Sequence, residues 1–227
     1  LAKINTIMKK MWFFGDSWCY SSGPDTWTKL LADNNGCMIS HLGTSGMSLQ
    51  GMLLDFLNNV EYIQQDDIVV FVFTSIYRWR FKDSCFRYSV WDKDTMNGIH
   101  QHITDEQMNA YAKYVMHLSE KHEEELRGAC YINYMLNYDL PCKAIYIPAF
   151  GDIPIKYLPN FKPVAENYYT DNTYNLTRLM WDFEKQNGFK KGEVQHSSYA
   201  YNHCGEPGTN TDAHPLVFEL AQKLLNK

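Results

Sequence analysis

The most constraining stretch of this chain is Ile68-Val69-Val70-Phe71-Val72-Phe73, six apolar residues in a row between Asp67 and Thr74. β-Branched and aromatic side chains favour a pleated strand. A strand with one wet face alternates apolar and polar residues, so an unbroken run needs cover on both faces, as in the middle of a parallel α/β sheet. Shorter runs repeat the signal. Met11-Trp12-Phe13-Phe14 is closed by Gly15, and Cys37–His41 and Lys143–Ile147 follow later. Helical periodicity fills the intervals. Trp27, Leu30 and Leu31 share a face of 25–34, where Asp25 is the candidate cap. Leu49, Met52, Leu53, Phe56 and Val60 do so in 49–63, which Ser48 caps. A long stretch opens at Thr104 and runs to about Tyr138, with Gly128 marking a break. Two further helices are expected over 171–187 and 215–225, the last with proline in its first turn. Strands alternating with helices predict βαβ units and a parallel sheet.

Length and charge narrow the partners. The 227 residues suit one domain, 1–227, with 1–7 as an N-terminal extension before Met8 and 77–103 as an aromatic, mixed-charge insertion near the active face. The net charge of −5 gives no positive field to hold phosphates, so no nucleic-acid partner is expected. No apolar run approaches the roughly 18 residues of a membrane span, so no membrane partner is expected either. The six cysteines lack CxxC spacing, which argues against a zinc ribbon or a disulfide scaffold. With no apolar signal segment before the first strand, the expected location is cytoplasmic or another reducing compartment. The sequon at Asn175 falls in a helical pattern and is taken as chance.

In an open parallel sheet, reactive groups gather beyond the carboxyl ends of the strands. Three polar turns follow directly on strands here: Gly15-Asp16-Ser17, Gly43-Thr44-Ser45-Gly46 and Thr74-Ser75. A fourth, Asp212-Ala213-His214-Pro215, opens the last helix. A serine, an aspartate and a histidine would meet on one edge of the sheet.

This constellation resembles the SGNH (GDSL-type) hydrolase superfamily. Phe13-Phe14-Gly15-Asp16-Ser17 matches the family's first block, in which the serine is the nucleophile. Ser45-Gly46-Met47-Ser48 is similar to the second, whose glycine lends a backbone N–H to the oxyanion hole. Asp212-Ala213-His214-Pro215 is similar to the last, which carries the aspartate and the histidine base, although its spacing is Asp-x-His rather than the common Asp-x-x-His. Where the family has Gly-x-Asn-Asp, this chain has Thr74-Ser75-Ile76-Tyr77-Arg78, without the asparagine donor. A third block with threonine followed by arginine is similar to that of phage-encoded relatives. Thr74, Ser75 or Arg78 would stand in for the missing donor.

The resemblance implies a three-layer α/β/α sandwich with a five-stranded parallel sheet in flavodoxin-like order. It implies a serine esterase without cofactor or metal, cleaving an ester or O-acetyl group of a small molecule or a glycan. A serine hydroxyl needs a base within hydrogen-bond reach. The expected triad is Ser17, His214 and Asp212, with Ser17, Gly46, Thr74 and Ser75 forming the oxyanion hole. Arg78 and Asp16 are the candidate substrate-side residues, and Asp16 is also expected to orient the nucleophile turn. Two alternatives stand beside this reading: an O-acyltransferase using the same serine, and a binding or structural module that has lost turnover.

Simpler roles are open to each residue. Ser17 and Asp212 are good helix caps, Gly46 suits a positive-φ turn, and Arg78 suits an ion pair. The aromatics Tyr77, Trp79, Phe81, Phe86, Tyr88 and Trp91 would either pack the insertion or stack on a sugar. His100 and His102 have metal-like spacing but no third ligand. His203 and Cys204 lie close to the last block. A cysteine nucleophile there would need a depressed pKa for which the pattern offers no cause.

Overall fold

The computed structural model describes residues 8–81, 84–87, 106, 113, 121–151, 158, 175–197 and 201–227. The expected N-terminal extension, the insertion beyond residue 87 with His100 and His102, and the start of the long helix at Thr104 lie outside these residues.

The central sheet is parallel. Strands β1 (Lys10–Gly15), β2 (Met38–His41), β3 (Ile68–Phe73) and β6 (Lys143–Pro148) lie in the order β2-β1-β3-β6. Among the described residues the sheet has four strands, where five were expected. The run 68–73 is the fully buried central strand that its lack of alternation requires. Its register is Met11 beside Ile68 on one flank and Ile68 beside Lys143 on the other. A separate antiparallel hairpin, β4 (Arg78–Phe81) with β5 (Ser84–Arg87), forms the described start of the insertion.

Helices cover both faces, and strand alternation decides which core each residue joins. Phe13, Val70, Val72, Ile145 and Ile147 face α1 (Trp27–Asn34), α4 (Leu176–Gln186) and α6 (His214–Leu225). Trp12, Phe14, Phe71, Phe73 and Tyr146 face α2 (Leu49–Asn59) and α3 (Lys121–Leu136). The second core is aromatic: the Phe71 and Tyr146 rings lie parallel at 5.3 Å, and Phe56 meets Phe71 edge-on at 5.2 Å.

The helix ends follow local chemistry. Ser48 accepts from the Gly51 N–H at 3.1 Å, which caps α2 as expected. Asn175 caps α4 by accepting from the Arg178 N–H at 3.1 Å, so the sequon asparagine serves the fold. Asp25 sits at φ +62 and does not cap α1. Gly128 does not break α3. It is glycine because Ile76 packs onto it, and a Cβ there would lie 2.5 Å from the Ile76 Cγ2. A short helix absent from the sequence expectation, α5 (Glu193–Ser197), follows α4.

Candidate active site

The site is built where β1, β2 and β3 end. The chain leaves β1 through Gly15 and turns into a short 3-10 segment, Ser17–Cys19. Space is tight at this turn. A Cβ on Gly15 would lie 2.7 Å from the Cys19 Sγ and 2.8 Å from the Val72 carbonyl oxygen. The loop after β2 closes over it, with the Thr44 N–H donating to the Gly15 carbonyl at 3.1 Å and the Gly43 N–H to the Cys19 carbonyl at 3.0 Å. Gly46 follows at φ +76, the left-handed region that favours glycine.

Asp16 is fully buried. Its carboxylate accepts from the Trp18 N–H at 3.1 Å and the Thr74 hydroxyl at 2.9 Å, and it pairs with the Arg78 guanidinium. Arg78 also donates to the Met47 carbonyl at 3.4 Å and lies 5.0 Å above the Phe150 ring. Asp16 therefore stitches the turns after β1 and β3 together from inside the protein. Thr74 has given its one hydroxyl proton to Asp16. The Ser75 hydroxyl accepts from the Tyr77 N–H at 3.3 Å. Ile76, which follows Ser75, is buried in the apolar core.

The histidine at Ser17 is His203. Its Nε2 lies 2.6 Å from the Ser17 Oγ, and its Nδ1 lies 2.8 Å from the Gln195 carbonyl oxygen. A carbonyl oxygen only accepts, so Nδ1 carries the proton. Neutral His203 is then left with a lone pair on Nε2, and the Ser17 hydroxyl donates to it. This is the tautomer a general base requires. The ring rests on Trp18, with centroids 5.0 Å apart.

Unusual backbone brings the ring there. Asn202 and His203 both lie in the left-handed region, at φ +55 and +61. Such residues cost energy unless the surroundings hold them. The Asn202 amide does so by accepting from the Ser21 N–H at 2.6 Å and donating to the Ser21 carbonyl at 3.0 Å. The loop bearing the histidine is thereby clamped to the segment just after Ser17.

His214, the base expected from the sequence, is placed elsewhere. Its Nδ1 accepts from the N–H of Trp27, the first residue of α1, at 3.0 Å. Among the described residues its Nε2 has no hydrogen-bond partner. Burial pushes its pKa down to about 4, against the opposing pull of Asp212. A neutral ring that accepts a helix-starting N–H does the work of a cap. Asp212 is likewise committed to backbone, accepting from the His214 N–H at 2.9 Å and the Gly208 N–H at 2.8 Å. Asp212 thus holds the first N–H of α6 from just outside the helix, whose N-cap is Ala213, and His214 accepts the first N–H of α1 across 187 positions rather than a local one.

In the sequence His203 stands out only by lying close to the last block. The signal that it matters is weak: a histidine in the Gly- and Asn-rich segment 199–211, whose sequence does not reveal the two left-handed residues. Cys204, beside it, is buried and donates to the Asn202 carbonyl at 3.2 Å. Burial raises its pKa well above the usual thiol value, which keeps it protonated and unreactive. Among the described residues no group of three His, Cys, Asp or Glu side chains is arranged to hold a metal ion.

Comparisons with protein-family models, curated proteins and solved structures find no match for this chain.

Proposed function

We propose that this protein is a serine esterase of SGNH type in which Ser17 is the nucleophile, His203 the base and the Gln195 carbonyl the third member of the relay. The observation that carries this reading is the chain Ser17 Oγ–His203 Nε2, His203 Nδ1–Gln195 O, at 2.6 and 2.8 Å. The order β2-β1-β3-β6 supports it as well, because it matches the start of a flavodoxin-like sheet whose reactive edge is where Ser17 lies.

The reaction is acyl transfer. His203 Nε2 takes the proton as the Ser17 Oγ attacks the ester carbonyl. The Nδ1–H bond to the Gln195 carbonyl holds the ring in place and steadies its positive charge, as a carboxylate does in other triads. The backbone N–H groups of Ser17 and Gly46 hold the oxyanion. Arg78 is the candidate for the remaining donor, since the Thr74 hydroxyl proton is spent on Asp16 and Ile76 is apolar. His203 then returns the proton to the leaving alcohol. Water, activated by the same nitrogen, releases the acid and restores Ser17. An acceptor alcohol in place of water would make the same acyl-enzyme an O-acyltransferase. The substrate class we propose is an ester or O-acetyl group on a small molecule or glycan.

Hydrolysis of p-nitrophenyl acetate tests this. Wild type is expected to turn over and Ser17→Ala is not. Folded wild type without turnover, with or without an acceptor alcohol, would leave the binding-module reading in its place.

A further inference from the structure

Glu184 is a carboxylate in the interior of the protein with no role in the chemistry described so far. It lies in α4 and is fully buried. Its oxygens accept from three backbone N–H groups: Gly192 at 2.5 Å, Val194 at 2.8 Å and Gln195 at 2.9 Å. The last two belong to the first turn of α5.

A helix of five residues has too few internal bonds to set its own position. Its first N–H groups and last carbonyls lack partners within it. Glu184 takes the N–H groups of Val194 and Gln195. His203 takes a carbonyl, and it is that of Gln195, the same residue whose N–H Glu184 holds. Gly192, at φ +82, bends the chain so that three donors converge on one carboxylate.

We infer that Glu184 is a positioning residue for the Ser17–His203 pair, acting through Gln195, and that it does from one residue away what the triad aspartate does by direct contact. The kinetic part of this inference rests on the esterase reading; the geometric part does not. The sequence Glu184 carboxylate, Gln195 N–H, Gln195 carbonyl, His203 Nδ1–H, His203 Nε2, Ser17 hydroxyl is an unbroken path of hydrogen bonds and one residue of backbone. Charge-assisted hydrogen bonds are the stronger kind, so an anionic anchor holds the carbonyl more rigidly than a neutral amide would. A misplaced carbonyl frees the ring to rotate or change tautomer. Either removes the lone pair from the serine.

The test compares wild type, Glu184→Gln, Glu184→Asp and Met180→Ala by two readouts. Met180→Ala lies in the same helix, is buried, and lowers stability without touching the path. The first readout is the His203 ring nitrogen spectrum, which reports which nitrogen bears the proton and needs no catalysis. The second is ester turnover. We expect Glu184→Gln to shift the His203 ring signals away from the Nδ1–H form and to lower kcat about 10- to 100-fold with KM little changed. Glu184→Asp, which keeps the charge, recovers part of both. Met180→Ala changes neither ring signals nor kcat. If Glu184→Gln does not fold, Glu184→Asp is read in the same way, with a partial shift expected. Ring signals that match those of Met180→Ala in the folded Glu184 variant overturn the assignment. Ring signals that shift while wild type turns over no ester uphold the positioning role and count against the reaction instead.

Discussion

The imidazole of His203 meets the hydroxyl of Ser17 at 2.6 Å from a residue at φ +61. The two facts belong together. Asn202 and His203 are consecutive left-handed residues, and the ring of the second lies against Ser17, just past the end of β1. Strained backbone of this kind clusters at sites where geometry matters more than stability. Here the cost is offset by the Asn202 clamp on Ser21 and by the packing of the ring on Trp18.

His214 makes stability pH-dependent. Its pKa is about 4 in the folded protein, against an ordinary value near 6.5. Between these values the unfolded chain binds a proton that the folded one refuses. Stability is therefore full above about pH 6.5 and falls as the pH drops towards 4, by about 3 kcal/mol over the window. His214→Asn keeps a side-chain acceptor and does not titrate. Melting temperatures between pH 7 and pH 4.5 should fall more steeply in wild type than in the variant. Equal slopes would contradict the placement of His214 as a buried neutral cap.

The Asp16–Arg78 pair is almost wholly inside the protein, with side chains 0% and 11% exposed. Removing one partner of a buried pair strands the other charge and costs about 3 to 5 kcal/mol. Arg78→Met should lose stability on that scale in urea unfolding. Adding Asp16→Asn should return part of it, since the stranded charge is then gone. An Arg78→Met protein as stable as wild type would show that the pair is not closed in solution.

Gly43 is held to glycine by three close neighbours. An added Cβ would lie 2.6 Å from the Cys19 Sγ and 2.8 Å from both the Asp16 and Gly15 carbonyl oxygens. Two of the three are backbone and cannot rotate away. Gly43→Ala should push the β2 loop off the turn that carries Ser17, costing about 1 to 3 kcal/mol of stability. On the esterase proposal, turnover should fall more than folding does. A crystal structure of the variant with the Gly43–Cys19 hydrogen bond intact would count against this close packing.

Much of the fold could be read from the chain. The 68–73 strand needs no tertiary knowledge, because six unbroken apolar residues demand two covered faces, and the strand ends where expected. Ser48 and the face of α2 follow from local spacing in the same way. Gly128 misleads, because a glycine in a helix signals either a break or a close neighbour, and only the packed structure supplies Ile76. The turn that carries Ser17 is legible because Gly-Asp-Ser after a strand is a local pattern. The histidine that meets Ser17 is not. His214 sits in a stronger local motif than His203, and that motif is real, but it describes a cap. What brings His203 to Ser17 is a pair of left-handed residues and a clamp between Ser21 and Asn202, 181 positions apart. The Glu184 anchor was invisible for the same reason, since it depends on a five-residue helix too short to leave a periodic trace.

The most direct measurement sets the two histidines against each other. A fluorophosphonate probe reports an activated serine hydroxyl without any choice of substrate. Wild type, Ser17→Ala, His203→Ala and His214→Asn should be labelled side by side, with melting curves to show that each is folded. The account predicts labelling of wild type and His214→Asn at similar rates and none of Ser17→Ala. For His203→Ala it predicts a rate lower by about 10²- to 10⁴-fold. Labelling that survives in His203→Ala and vanishes in folded His214→Asn would contradict it.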